Sequence, residues 1–251
     1  MKKLTLIILF LAGLVQMAGA AVASKADADQ AYRKNDFAGA ARMYEAILSE
    51  QGESAAIYYN LGNCYYKQKD MARAVLNYER ALLLSPGDAD IRFNLEMARS
   101  KTTDQITPAR EVFIVTWANA VVNTLSEGAW SAVAIAAFLL LLAGVVFYLF
   151  GKQLLAKKIG FAAAAAFLLV CVVANLAAYR QHEALTHREG AIIMQPTVTV
   201  KSTPNESGTD LFVLHEGTKV RITDNSMKGW KEVSMEDGNK GWVPAASIEV
   251  I

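Results

Sequence analysis

The side chains that most often carry acid–base or metal chemistry are sparse in this chain. It contains three histidines and two cysteines, which are His182, His187, His215, Cys64 and Cys171. The patterns H-E-x-x-H and G-x-S-x-G and the glycine-rich phosphate loop are absent from the sequence. Because catalysis needs a nucleophile, a base and a stabilising group in one place, the sequence predicts a protein that is not an enzyme and has neither metal nor cofactor.

The composition removes a further class of function. The 251 residues carry a formal net charge of +1, so there is no bulk electrostatic case for a nucleic-acid partner, and none is expected. Hydrophobic residues make up 53% of the chain and are concentrated in three blocks. The chemistry that remains is that of binding, and it depends on the elements that position a binding surface.

The first apolar block is typical of a secretory signal peptide. Two lysines precede an apolar stretch from Leu4 to Val15, and small residues follow it. Ala18–Ala20 and Ala21–Ala23 both fit a peptidase cleavage site. The sequence therefore predicts a signal peptide over residues 1–23, with an uncleaved anchor helix as the alternative, and an exported chain in either case.

The second and third apolar blocks predict a pair of transmembrane helices. Trp130–Phe150 and Ile159–Tyr179 each contain 21 residues and no charged side chain. A helix of that length measures about 31 Å, close to the thickness of the hydrocarbon core of a bilayer. We assign the two spans to residues 128–150 and 159–179, joined by a loop at residues 151–158.

The loop between the spans predicts their orientation. It contains three lysines and no acidic residue, which favours the cytoplasmic side of a membrane. The predicted signal peptide independently places the residues before the first span outside. Together they predict a bacterial inner-membrane protein with two spans, a cytoplasmic loop, and N- and C-terminal domains in the periplasm.

The segment before the first span has the periodicity of an amphipathic helix. Phe113, Trp117 and Val121 recur every four residues, while polar residues lie on the other side. The neighbouring span predicts that this interfacial helix, within residues 106–127, lies along the outer membrane surface. Packing against the preceding domain is the alternative.

Residues 24–105 contain an internal repeat. When the sequence is shifted by 34 residues, Asp36 coincides with Asp70 and Tyr44 with Tyr78. A period of 34 residues is that of tetratricopeptide units, each of which is a pair of helices. The pattern predicts two helix pairs, near Ser24–Glu50 and Ser54–Leu84, and a single final helix near Asp88–Lys101.

The second unit resembles the tetratricopeptide signature almost position for position. The matching residues are Leu61, Gly62, Tyr65, Ala74, Tyr78, Ala81 and Pro86. The resemblance implies a concave groove, lined by the first helix of each pair, that binds peptide segments or protein surfaces. The residues that would face this groove are Tyr59, Asn60, Asn63, Tyr66, Lys67 and Asn94.

Some tetratricopeptide relatives clamp a C-terminal carboxylate with lysine and asparagine side chains. Lys25 and Asn60 match that pattern, but Asp29 and Asp90 stand where an amide and a cation are needed. Because two acidic side chains repel a carboxylate, we exclude this class of ligand.

The C-terminal residues have the pattern of a small β-domain. Residues 180–190 are predicted to extend the second span as a short stalk, and Thr218–Thr223 alternates between apolar and polar side chains. Residues 191–251 resemble bacterial SH3-like domains. The matching motifs are Val200–Pro204, Gly217–Val220, Gly229-Trp230, Asp237-Gly238 and Gly241–Pro244. The predicted fold is therefore multi-domain: an α-helical tetratricopeptide repeat domain, a two-helix transmembrane hairpin and a small all-β SH3-like barrel.

The order of these parts resembles the BatE family, proteins of the Bacteroides aerotolerance operon type. The resemblance implies an inner-membrane scaffold or adaptor that presents both modules in the periplasm, within a Bat-type aerotolerance or envelope complex. It implies protein partners, namely von Willebrand A-type membrane proteins, an AAA-type ATPase and other Bat-operon products, besides the lipid bilayer. The alternative is a cell-envelope sensor or wall-binding protein that contacts peptidoglycan through the SH3-like domain.

Overall fold

The computed structural model describes residues 24–106 and 112–251. The predicted signal peptide at residues 1–23 lies outside the described residues, and so do residues 107–111 of the predicted interfacial segment.

Helices occupy the region in which the sequence predicts a repeat, and this helical tetratricopeptide-like architecture is confirmed. Helices α1 and α2 form the first pair, α3 and α4 form the second, and α5 follows alone. Their bounds are Lys25–Arg33, Phe37–Gln51, Ala55–Lys67, Met71–Leu84 and Ala89–Arg99.

The two helix pairs share the same turn at the 34-residue period. Asp36 and Asp70 each cap a second helix by accepting the backbone amide of the residue three positions later, at 2.8 and 3.0 Å. The residues before these caps, Asn35 and Lys69, have positive φ angles of 61° and 66°. The chain therefore reverses in the same way in both units.

Small residues face tyrosine rings in the core of the helical region. Gly62 lies so close to Tyr78 that a Cβ atom on Gly62 would be 2.7 Å from the ring. Tyr44 and Tyr78, which are 34 positions apart, are each 1% exposed. This contact explains why the repeat requires glycine on the first helix of the second unit.

Three further helices follow the repeat region. Helix α6 is Phe113–Val122, α7 is Glu127–Phe150 and α8 is Leu154–Thr186. Helices α7 and α8 are both long and apolar enough to cross a membrane. They are joined by residues 151–153 alone, because α8 begins before the predicted second span, and α8 continues through most of the predicted stalk.

Helices α7 and α8 pack closely through glycines. A Cβ atom on Gly144 would lie 2.9 Å from the backbone nitrogen of Ala164, and one on Gly160 would lie 2.6 Å from that of Tyr148. Such small residues allow apolar helices to approach each other where the hydrophobic effect does not drive their association. The two helices form an antiparallel hairpin.

The C-terminal strands form one antiparallel sheet of seven strands in the order β3-β2-β6-β5-β4-β1-β7. The bounds of β1 to β7 are Gly190–Ile193, Thr197–Lys201, Asp210–His215, Lys219–Asp224, Trp230–Ser234, Lys240–Pro244 and Ile248–Val250. The sheet is not closed, which corrects the predicted barrel. Its edges bind helical-region groups instead of each other: Arg80 donates to the Val250 carbonyl at 2.6 Å, and the His215 amide donates to Asp104 at 2.7 Å.

The sheet packs directly against the outer face of α4. Ile192 and Ile251 belong to the same buried apolar cluster as the helical core. Glu79 of α4 is 5% exposed, accepts from Lys219 of β4 at 2.8 Å and forms an ion pair with Arg99. Arg188, between α8 and β1, pairs with Glu53 of the helical region.

These contacts determine how the domains are placed relative to the hairpin. The repeat region precedes α7, the sheet follows α8, and the two touch each other. Because α7 and α8 run in opposite directions, both domains lie at the same end of the hairpin.

Candidate protein-binding groove

The six predicted groove residues lie on α3 and α5, the first helix of the second unit and the final helix. Lys67 is exposed and the other five are half-buried. Phe93 of α5, which sequence reasoning did not include, is 66% exposed and occupies the repeat position of Tyr59. The 34-residue shift could have identified it.

One hydrogen bond joins two groove residues, and another joins a third groove residue to the buried core. The side-chain amide of Asn94 donates to the Tyr59 hydroxyl at 2.7 Å, which joins α5 to α3. The side-chain carbonyl of Asn63 accepts from the Tyr78 hydroxyl at 2.7 Å. Both asparagines therefore hold the groove in shape, and the amide N–H groups of Asn63 remain to donate to a bound chain.

A pocket of about 240 Å³ lies at the α1 end of the groove. Its wall contains predicted groove residues of α3 together with charged and aromatic residues of α1. The lining residues are Lys25, Asp29, Tyr32, Arg33, Tyr44, Asn60 and Asn63.

The acidic side chain in this pocket is neutralised from within the protein. Lys25 Nζ lies 2.7 Å from Asp29, and the Tyr44 hydroxyl donates to the other carboxylate oxygen. The bond from Lys25, followed by the bond from Tyr44, lowers the pKa of Asp29. Burial, followed by the bond to Asp29, raises the pKa of Tyr44. Lys25 is thus engaged and is not free to clamp a carboxylate.

One rim of the groove carries a row of cations, of which sequence reasoning named only Lys67. Arg33 lines the α1 pocket, and Lys101 lies with its ammonium 4.5 Å from the centre of the Tyr66 ring. Both are exposed. We call Arg33, Lys67 and Lys101 the basic row.

His182, His215 and Cys64 make contacts that serve the fold. His182 contacts Glu127 and His215 contacts Asp104, with nitrogen–oxygen distances of 2.9 and 2.7 Å. Cys64 is fully buried, and burial raises the pKa of its thiol to about 12. Within residues 24–106 and 112–251, no group of three or more His, Cys, Asp or Glu side chains is arranged to hold a metal ion.

A larger cleft of about 1120 Å³ lies between α4, the outer part of α8 and the sheet. Sequence reasoning did not predict it, because it exists only once the two domains are docked. Its charged walls combine acids such as Glu79 and Glu183 with cations such as Arg180 and Arg221, so no single sign of charge dominates.

Comparison with known proteins agrees with the architecture of the groove. Residues 25–90 match a tetratricopeptide repeat family. No curated protein is similar enough to the chain to count as a match. The matched residues include α1 to α4, and tetratricopeptide domains generally mediate protein–protein interaction.

Proposed function

We propose that this protein is a membrane-anchored adaptor that holds a partner protein in the groove of its tetratricopeptide repeat region. The observation that carries the proposal is that one face of the repeat region is open and the other is covered. The groove presents half-buried tyrosines and asparagines, whereas the sheet covers α4 on the opposite side. The protein catalyses no reaction in this proposal.

The hairpin of α7 and α8 anchors the adaptor in the inner membrane. Helix α6 lies on the bilayer surface beside it, since Phe113 and Trp117 are 80% and 62% exposed and would otherwise face water. Trp130 of α7 and Gln181 of α8 both donate to the Val122 carbonyl, at 2.9 and 3.1 Å, and so tie the end of α6 to the hairpin.

Both domains face the periplasm in this arrangement, in agreement with the lysines that lie between the two spans. The overall order of parts supports a scaffold role in a Bat-type envelope complex with von Willebrand A-type partners. The sheet then holds the groove at a constant position above the membrane instead of leaving it on a flexible linker.

The groove can be tested by site-specific photocrosslinking in cells. Phe93 is replaced by a benzoyl-phenylalanine of similar shape, and a matched control carries the same residue at Arg42, which is exposed on α2 outside the groove. We expect discrete protein adducts at position 93 that are absent at position 42. Combined Tyr59→Ala and Tyr66→Ala substitutions should lower their yield about tenfold, as expected for aromatic contacts at the centre of an interface.

Circular dichroism of the purified double variant controls for loss of fold. Adduct patterns that are the same at positions 93 and 42, or that survive the double substitution in a folded protein, would contradict the proposed groove.

The membrane orientation can be tested with an impermeant thiol reagent. Lys228→Cys lies in the loop between β4 and β5, and Lys152→Cys lies between the two spans; both positions are exposed. We expect labelling at position 228 in cells with an intact inner membrane and at position 152 only after lysis. The reverse pattern would place both domains in the cytoplasm.

A further inference from the structure

The three residues of the basic row occupy the same position in successive repeat units. Arg33 is the last residue of α1, Lys67 is the last residue of α3, and Lys101 follows the end of α5. The three are separated by the 34-residue period of the repeat. Because successive units have the same geometry, the three side chains follow one rim of the groove.

The helix dipole does not account for this arrangement by itself. Cations are favoured in the last turn of any helix, including those that do not line the groove. The last turns of α2 and α4 contain no basic residue. Among α1 to α5, basic residues of the last turn therefore occur only on the helices that line the groove, as Arg33, Lys67 and Arg99.

The charges of the basic row are largely left unpaired within the protein. Lys25 and then Tyr44 account for most of the lowering of the pKa of Asp29, to which Arg33 adds a smaller contribution. Among the described residues, none of the three forms an ion pair, whereas Lys25 is paired with Asp29 in the same groove. The contact of Lys101 with Tyr66 orients the ammonium but leaves its charge in place. The rim therefore has an unbalanced positive potential.

We propose that the basic row binds an extended acidic segment of the partner protein, with acidic side chains three residues apart. This inference rests on the proposed function, because it describes the occupant of the same groove. The first helices of successive units are roughly 10 Å apart, as packed helices are. A chain in the polyproline II conformation has three residues per turn and advances about 3.1 Å per residue, so every third side chain points to the same side, about 9 Å further along. Acidic side chains at positions i, i+3 and i+6 would therefore each meet one cation.

The segment acts through its side-chain carboxylates and has no need of a chain terminus. Its backbone lies over Asn60 and Asn63, whose amide groups can donate to its carbonyls.

The two acidic residues that argue against a clamped chain terminus do not repel this segment strongly. Lys25 and Tyr44 already balance the Asp29 carboxylate. Asp90 is in the first turn of α5, about 16 Å along the helix from Lys101.

The test uses the full-length protein in nanodiscs of zwitterionic lipid and short fluorescein-labelled peptides of serine and glycine. One peptide carries three aspartates at i, i+3 and i+6, a second carries the same three aspartates in succession, and a third carries asparagines at the spaced positions. We expect the spaced acidic peptide to bind about fivefold more tightly than the clustered one by fluorescence polarisation, and the preference to disappear in high salt.

The preference should disappear in a variant that combines Arg33→Gln, Lys67→Gln and Lys101→Gln. A control variant with Arg42→Gln, Lys228→Gln and Lys240→Gln removes the same charge from exposed positions outside the groove and should keep the preference. Equal binding of the spaced and clustered peptides, or a preference that survives in the first variant, would overturn the proposal.

Failure of this inference can be told apart from failure of the proposed function. If the basic-row variant still gives the adducts of position 93 while Tyr59→Ala/Tyr66→Ala removes them, the groove binds a partner without an acidic segment. If neither variant changes the adducts, both proposals are wrong.

Discussion

The second helices of the two repeat units, α2 and α4, have the same place in the repeat but different surroundings. Arg42 of α2 is exposed, and the equivalent Leu76 of α4 is 2% exposed. Glu45 is exposed, and the equivalent Glu79 is buried. The difference arises because the sheet covers α4 and leaves the outer face of α2 in solvent.

This comparison shows how one repeat unit can serve two purposes. Two positions that face the groove keep their character in both α3 and α5: Asn60 is matched by Asn94, and Tyr59 by Phe93. On the opposite side of α4 some positions become apolar, as where Leu76 replaces the arginine of the first unit, and Arg80 replaces an alanine and bonds the sheet. The repeat region thus binds its own chain on one side and remains open on the other.

The largest effect on stability is expected when the residue found in α2 is introduced at the equivalent position of α4. Leu76→Arg places a charge in a cluster that includes Ile192 and Ile251 of the sheet. We expect the free energy of unfolding to fall by about 3–4 kcal/mol, because a buried charge without a partner is strongly unfavourable. Thermal unfolding of the full-length protein in detergent measures the effect.

The reciprocal substitution is the control. Arg42→Leu changes an exposed position, so we expect a change within about 0.5 kcal/mol. Equal effects of Leu76→Arg and Arg42→Leu would show that the sheet does not cover α4 in solution.

A smaller effect is expected from Glu79→Gln. The Glu79 carboxylate lies between Arg99 and Lys219, whose side chains are 36% and 35% exposed. Loss of the shared negative charge should lower the free energy of unfolding by about 1–3 kcal/mol, since water partly screens the two cations. The measurement is the same thermal unfolding.

Glu45→Gln is the matched control for Glu79→Gln. Glu45 occupies the equivalent position of α2, is exposed, and accepts a hydrogen bond from Tyr65 that glutamine can also accept. A change as large as that of Glu79→Gln would mean that the contact with Lys219 adds nothing to stability.

Much of the helical region could be predicted because its signals are local and repeated. A cap such as Asp70, a close contact such as that of Gly62 with Tyr78, and the 34-residue period all appear directly in the sequence. The two apolar helices follow from length and composition. The same 34-residue period also relates Arg33, Lys67 and Lys101, so comparing these three positions would have revealed the basic row.

The docking of the sheet and its open edges could not be predicted in the same way. Alternation of side chains in Thr218–Thr223 indicates a strand but not which strand lies next to it. Closure of the barrel was predicted from motifs within the sheet, whereas the edge at Val250 is bound by Arg80, far away in the sequence. Leu83, at the repeat position of Ser49, was a further sign that the outer face of α4 is covered.

The smallest expected effect is a pH dependence of the docking between the sheet and the repeat region, which the open groove should not share. Burial raises the pKa of Asp104, but bonds from the His215 amide, the Thr218 hydroxyl and the His215 ring outweigh it, so the pKa lies below its ordinary value of 3.8. A lowered carboxyl pKa gives stability that is present above the ordinary value and is lost as the pH falls through the lower value of the folded protein. Docking of the sheet should therefore be unaffected near neutrality and weaken below about pH 4.

Limited proteolysis at the junction of the domains, compared at neutral and acidic pH, measures this weakening. Asp104→Asn should make cleavage faster at neutral pH and remove part of the acid dependence. An asparagine side chain cannot ionise, and its N–H groups would face the His215 and Thr218 groups that now donate to the Asp104 carboxylate. Asp237→Asn, at an exposed turn of the sheet with hydrogen bonds only to Asn239, should leave both unchanged.

Among the described residues, Arg33 and Lys67 of the basic row form no hydrogen bond or ion pair with the sheet, whereas Lys101 lies three residues before Asp104 on the segment that contacts it. Peptide binding should therefore fall no further in Asp104→Asn at neutral pH than in Lys101→Gln alone; a larger loss would show that the two faces of the repeat region are coupled.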